Sequence, residues 1–329
     1  MASGWKPTGI GEEEFADGDS YHRALYHNGD INEPADWHKN SVEMLIDLAI
    51  PHIEDGSLIV DYGCGTGGSA IELLKVLDTR GLEVELVLID PLVSWFSKSW
   101  EILGERDNVH FELSVKSDIS GKRSFRRLEE MLSGRKADVI ISSSTLHLIP
   151  PKKIGELVLQ FAESLNGDGV LIWDSGDLES DIRPENSALL HDPYRKVREI
   201  LRVNDVRSSK LSEMSIIDQE RHESRLDRIF PTPIHIQVIL DALSEVGFTI
   251  EVSDRVVDFS HDDAERFILV PRLAEIAAPL LEGPERSIAI KKALSESLNG
   301  IADDGQGTES HYRSHWVYGF HRLLVEQGT

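Results

Sequence analysis

The residues best able to do chemistry in this chain fall between positions 61 and 195. Asp61-Tyr62-Gly63-Cys64-Gly65-Thr66-Gly67-Gly68 follows a short apolar run and precedes a helical one. Glycines at this spacing turn the backbone sharply and let a ligand approach the main chain without a Cβ in the way. Asp90-Pro91 ends the next apolar run, where an acid can accept hydrogen bonds from ribose hydroxyls. Ser117-Asp118, with Ile119 beside it, ends a third run and can meet an adenine edge. Ser142-Ser143-Ser144-Thr145-Leu146-His147 ends a fourth. His147 is the candidate general base or substrate-orienting residue; packing beside a ligand, with hydrogen bonds to backbone, is the alternative. Asp174 and Asp177 follow a fifth run and could contact an acceptor hydroxyl or amine, or cap the next helix.

The elements that must position these residues follow from periodicity. Apolar residues recur at helical spacing from Trp37 to Ile53. Strands are predicted at Leu58–Asp61, Val84–Ile89, Val109–Leu113, Ala137–Ser142 and Val170–Trp173. Helices separate them at Ser69–Leu77, Val93–Leu103, Phe125–Leu132 and Lys152–Leu165. This alternation predicts an α/β fold: a Rossmann-like three-layer α/β/α sandwich. Its sheet is mostly parallel and seven-stranded, with an antiparallel last strand. The pattern breaks at 176–232, which is charged, carries helices such as Tyr194–Leu201 and has no buried strand. A helix at Thr232–Val246 and a strand at Phe248–Val252 return to the core. Residues 261–312 are again helical and polar, and Trp316–Val325 reads as the last strand. The division is therefore an N-terminal arm or lid (1–40), a cofactor-binding core (41–175), a helical cap insertion (176–232), a core continuation (233–260), a second helical insertion (261–312) and a final strand (313–329). Insertions at one edge of a sheet often form a lid over a site.

Gly63, Gly65 and Gly68 also fit the dinucleotide fingerprint, which leaves a nicotinamide-dependent oxidoreductase open as an alternative. Asp61 ahead of the first glycine, Ser117-Asp118 after the third strand, and an end that is not a second parallel half-sheet favour another family. Residues Leu58 to Leu74 resemble motif I of the class I S-adenosylmethionine-dependent methyltransferases. Asp90 and Asp118 match that family's acids after the second and third strands, and Ala137–Pro150 and Leu165–Ile172 its fourth- and fifth-strand motifs. The resemblance implies S-adenosyl-L-methionine as cofactor. Asp61 and the Gly63–Cys64–Gly65–Gly67 loop would hold its methionine end, with Asp61 near the ammonium. Asp90 and Pro91 would hold the ribose, Ser117, Asp118 and Ile119 the adenine, and Ser142 would line the same site. The family often has Asn or Asp where Ser142-Ser143-Ser144 stands. A Ser-rich stretch ending in Leu-His also resembles carboxyl methyltransferases of small hydrophobic acids, including the plant SABATH group.

Methyl transfer from a sulfonium needs alignment and exclusion of water more than a special catalyst. A small-molecule acceptor methylated on oxygen, a carboxylate or a hydroxyl, is the expectation; nitrogen or carbon is the alternative. Tyr21 and Tyr26 could close over the cofactor, or lie in a surface arm or a homodimer contact. Tyr194 and Arg195 are candidate pocket residues, and Arg195 could pair with an acceptor carboxylate. The chain has 34 basic and 58 acidic residues, a net charge of −24. That charge repels phosphate backbones and anionic membranes, so neither nucleic acid nor membrane is expected as a partner. Cys64 is the only cysteine, which excludes an intramolecular disulfide and a cysteine-based zinc cluster. No pair of histidines shows helical ligand spacing with a partner acid, so no metal is expected. Met1–Pro7 lacks the apolar run of a signal peptide and no apolar stretch is membrane-length, which predicts a soluble cytoplasmic protein.

Overall fold

Alternation within the apolar runs builds a central sheet covered on both faces. The computed structural model of the protein describes residues 5–8, 11–117, 123–203, 205–226, 231–298 and 312–324. Asp118 and Ile119 lie outside the described residues. In β1 (Leu58–Tyr62), Ile59 packs into one core while Leu58 and Val60 pack into the other. The same period of two sorts Leu86 and Leu88 from Val87 and Ile89 in β2 (Glu85–Asp90). It recurs in β4 (Ala137–Ser143) and β5 (Leu165–Ser175). With β3 (Val109–Leu113), β6 (Glu251–Phe259) and β7 (Tyr312–Arg322) the sheet has seven strands in the order β6-β7-β5-β4-β1-β2-β3. β1 to β5 pair in parallel, and β7 runs antiparallel to both β5 and β6. The carboxyl ends of β1, β2, β4 and β5 therefore share one edge, and the order reverses between β1 and β4, the position that opens a crevice in such sheets.

Helices α2 (Asp36–Ala49), α3 (Gly68–Arg80) and α4 (Val93–Leu103) bury Leu45, Leu73 and Phe96 against one face. Helices α5 (Leu128–Met131), α6 (Pro151–Ser164) and α10 (Gln237–Val246) bury Met131, Phe161 and Leu243 against the other. Helix α1 (Glu12–Leu25) crosses α4 at Gly18, where a Cβ would lie 2.5 Å from the Ser94 carbonyl oxygen. The Asp17 carboxylate ties this crossing to a third element. It accepts from Trp95 Nε1 at 2.9 Å, from Ser94 Oγ at 3.3 Å and from the backbone N–H of Arg272 at 2.9 Å. The cap comprises α7 (Asp192–Arg202), α8 (Asp205–Ser212) and α9 (Ile216–Leu226), then α11 (His261–Ile268), α12 (Pro271–Ala277) and α13 (Gly283–Leu298). It is stitched to the sheet through residues 188–190: Ala188 N–H donates to Arg313 O, His315 N–H to Ala188 O, and Leu190 N–H to Gly176 O.

Several sequence expectations shift. The helix expected over Phe125–Leu132 is confined to Leu128–Met131, because Arg123–Phe125 instead pairs antiparallel with Val115–Ser117. Phe125 is exposed rather than on a buried helix face. Ser133 and Gly134, both at positive φ, then end the turn. The 176–232 segment does contain strand: Leu178–Glu179 pairs in parallel with Ile234–His235, and Leu178 is buried. The strand expected at Phe248–Val252 begins at Glu251 and runs to Phe259, since Gly247 closes α10 at φ 93 and Phe248 makes only an isolated bridge to Leu323. The last strand starts at Tyr312, four residues earlier than its apolar signal. Among the described residues no helix is long and apolar enough to cross a membrane.

Gly319 of β7 pairs with Trp173 of β5, and a Cβ there would lie 2.3 Å from the Trp173 ring. Gly319→Ala is expected to cost about 1–3 kcal/mol through overpacking, read as a lower urea midpoint. An unchanged midpoint would contradict this packing.

Candidate functional site

The loop after β1 is built on three positive-φ glycines: Gly63 (φ 81), Gly65 (φ 56) and Gly67 (φ 84). A side chain is strained in that region, which is why glycine recurs at alternate positions. Gly63 and Cys64 both donate backbone N–H bonds to Ile89 O, at 2.8 and 3.1 Å, folding the loop onto the end of β2. A Cβ at Gly63 would also lie 2.2 Å from Thr145 Oγ1, so the turn after β4 closes directly on this glycine. Gly67 N–H donates to Cys64 O and starts α3. Cys64 is buried, which pushes its thiol well above the usual range. It is a packing residue of the loop rather than a nucleophile.

Three carboxylates face this loop. Asp61 is buried near the end of β1, and its Oδ2 accepts from Ser69 Oγ at 2.7 Å. Its Oδ1 is equally buried and has no partner among the described residues. Asp90 ends β2; its Oδ2 accepts from Gly65 N–H at 2.9 Å and its Oδ1 from Leu92 N–H at 2.7 Å across Pro91. Asp174 ends β5 and accepts from Ser144 N–H at 2.8 Å and from Ser143 Oγ at 3.1 Å. Burial pushes Asp61 and Asp174 up to about 7 and Asp90 up to about 6. Asp61 is raised further by the charges of Asp90 and Asp174. Among the described residues none of the three makes an ion pair with Lys, Arg or His.

The turn after β4 carries the next group. Ser144 sits at φ 48, an uncommon conformation for a side-chain-bearing residue, held there by its bonds to Asp174. Ser142 Oγ donates to Tyr62 O at 3.0 Å, clamping β4 to β1. Thr145 Oγ1 reaches Ser143 O and Gly63 O. His147 follows, buried, with Nδ1 2.9 Å from Ser175 Oγ. Burial holds its imidazole down to about 3, so the ring is neutral at any working pH.

The remaining candidates separate. Tyr21 stacks on Trp95 with centroids 4.1 Å apart, next to the glycine loop: a Cβ at Gly65 would lie 3.7 Å from the Trp95 ring. Burial and then the charge of Asp90 raise the Tyr21 phenol. Tyr26 is fully buried behind the glycine segment, its hydroxyl 3.2 Å from Gly68 O, 2.9 Å from Glu72 Oε1 and 3.3 Å from His38 Nε2. It anchors α1 to α3. Tyr194 is also fully buried, stacked on Phe267 at 5.2 Å, with its hydroxyl 3.4 Å from that of Tyr312. Arg195 is not available to an acceptor carboxylate, because Asp177 and the Pro231 carbonyl already hold its guanidinium. Ser117 is exposed in the Val115–Ser117 ladder. Sequence spacing gave no sign that His147, Asp177 and His191 converge, yet one ligand atom of each lies within 4.8 Å of the others. Both Asp177 oxygens in that cluster face Arg195. A separate groove of about 600 Å³, lined by Ser20, Arg23, His27, Asn28, Arg266 and Leu269, contains none of these residues.

No family model and no curated protein matches the chain. Among solved structures it is similar to the YcgJ protein from Bacillus subtilis, with a TM-score of 0.51 and 12% identity over 87% of this chain and 100% of that one. It is also similar to an S-adenosylmethionine-dependent methyltransferase from Geobacter sulfurreducens in complex with S-adenosyl-L-homocysteine, with a TM-score of 0.45 and 14% identity over 87% of this chain and 91% of that one. At such identities the likeness to YcgJ is one of fold.

An acid whose pKa is raised on folding stays protonated in the folded chain while the unfolded chain ionises. It therefore removes stability as pH rises from about 4 to about 7. Asp61→Asn carries no such charge. The variant without ligand is expected to gain in melting temperature relative to wild type across that window and then level off. A constant difference would contradict the uncompensated burial of Asp61.

Proposed function

We propose that the chain is an S-adenosyl-L-methionine-dependent methyltransferase that methylates an oxygen, a carboxylate or a hydroxyl, of a small acceptor. The observation that carries this reading is the set of three buried carboxylates at the ends of β1, β2 and β5, with an orphaned oxygen on Asp61 and no Lys, Arg or His paired with them among the described residues. A buried charge is costly without a partner. Such a site suits a ligand carrying an ammonium and a sulfonium. It suits a nicotinamide dinucleotide poorly, because the pyrophosphate seated at the glycine loop would lie beside Asp61.

The bound sulfonium supplies an activated methyl group. The chain's residues then bind, align and exclude water. Asp61, whose Oδ1 has no partner among the described residues, would hold the ammonium. Asp90 spends one lone pair on each of the Gly65 and Leu92 N–H groups and keeps others for ribose hydroxyls. Tyr21 and Trp95 close over the glycine loop from the α1 side. His147, neutral and fixed by Ser175, orients the acceptor oxygen. Trp37, Phe259 and Tyr312 form a stacked aromatic series in the core, with centroids 4.8 and 4.9 Å apart, and Tyr194 stacks on Phe267 within the cap.

Calorimetry is expected to show binding of S-adenosyl-L-homocysteine and none of NADH. Asp61→Ala should weaken that binding by at least about tenfold, the worth of a charged hydrogen bond. Transfer of labelled methyl groups to a panel of small apolar acids and phenols tests the acceptor. His147→Ala should lower turnover severalfold or more with cofactor affinity nearly unchanged. Binding of NADH in place of the homocysteine derivative would reverse the assignment.

A further inference from the structure

His147 and His191 reach the same place from different elements, the turn after β4 and the residue that leads into α7. Their rings lie 5.4 Å apart at 62°. Each Nδ1 has its own partner, and the two partners are of opposite kind. Ser175 Oγ, 2.9 Å from His147 Nδ1, already accepts the Asp177 N–H at 3.0 Å. Among the described residues His147 Nδ1 is the one acceptor set against the Ser175 hydroxyl proton, and donation there puts the proton of that ring on Nε2. His191 Nδ1 lies 2.9 Å from Asp177 Oδ2. An ionised carboxylate can only accept, so here Nδ1 carries the proton. Arg195 forks onto the same carboxylate, with Nη1 3.0 Å from Oδ1 and Nη2 2.5 Å from Oδ2, while the His191 backbone N–H donates to Oδ1. These charged neighbours hold Asp177 well below the usual carboxylate range.

We propose that Ser175 and Asp177 are positioning residues that lock His147 and His191 in opposite tautomers, with Arg195 clamping Asp177 in its ionised, bidentate pose. Two residues apart on the chain that leaves β5, they set which ring nitrogen of each histidine carries hydrogen. The catalytic use of this pair rests on the methyltransferase reading: His147 meets the acceptor oxygen with an Nε2–H donor. The cluster's spacing would also admit a divalent cation. Arg195 competes for both Asp177 oxygens and already supplies the positive charge such an ion would bring.

The test is nitrogen-15 NMR of the histidine-labelled full chain, with and without S-adenosyl-L-homocysteine, the two signals being assigned by His147→Gln and His191→Gln. Wild type is expected to show His147 protonated on Nε2 and His191 on Nδ1. Ser175→Ala should give His147 a mixture of tautomers, leave His191 unchanged, and keep affinity for the homocysteine derivative within about twofold. Asp177→Asn should disturb His191; if that variant does not fold, wild type and Ser175→Ala decide the matter alone. Both rings protonated on the same nitrogen, or a His147 signal indifferent to Ser175→Ala, would overturn the proposal. So would stoichiometric Zn²⁺ binding that His147→Gln abolishes. The expected tautomers in a chain that fails to bind the homocysteine derivative would support the positioning and reject the cofactor reading.

Discussion

Asp61, Asp90 and Asp174 are buried at one edge of the sheet, and the described chain sets no arginine, lysine or histidine against any of them. Water is the ordinary partner of a carboxylate, and here it is largely excluded. Backbone N–H groups and serine hydroxyls supply part of what is missing, yet they carry no net charge. The positions of the donors follow from this constraint. The glycine loop bends far enough for Gly65 to donate to Asp90, Ser69 opens α3 toward Asp61, and Ser144 accepts a left-handed backbone to reach Asp174. What remains unmet is positive charge, and that deficit defines the ligand the crevice suits.

The cap follows the opposite rule. Asp177 is as deeply buried as the other three acids, but Arg195 and His191 surround it, and its carboxylate is held ionised. One end of the site thus leaves carboxyls without a cation among the described residues, while the other is a closed ion pair between Asp177 and Arg195. Burial alone does not distinguish these acids; the presence of the chain's own cation does.

Local chemistry was legible in the sequence. Three glycines at alternate positions after an apolar run and an acid cannot easily serve anything but a tight loop, and the structure gives all three positive φ. Asp61 is the penultimate residue of β1 and Asp90 the last of β2, so strand periodicity alone placed them. Contacts made across long separations were not legible. Ser175 meets His147 across 28 residues, and Arg195 meets Asp177 across 18. No periodicity carries such pairings. Arg195 read as an acceptor partner because nothing nearby in sequence announced Asp177 as its mate. Tyr26 read as a lid because its aromatic character was visible but its hydrogen bond to Glu72, 46 residues away, was not. Edge strand β6 was misplaced because only Val257 and Phe259 of its nine residues are buried, which dilutes the apolar signal that marks the central strands.

The central claim is that a cationic ligand completes a cluster of carboxylates held partly protonated by burial. Calorimetric titration with S-adenosyl-L-methionine at about pH 6.5, repeated in buffers of different ionisation enthalpy, counts the protons exchanged on binding. Net proton release is expected, because an adjacent positive charge lowers the pKa values of Asp61, Asp90 and Asp174. Binding with no proton release, or with proton uptake, would contradict it.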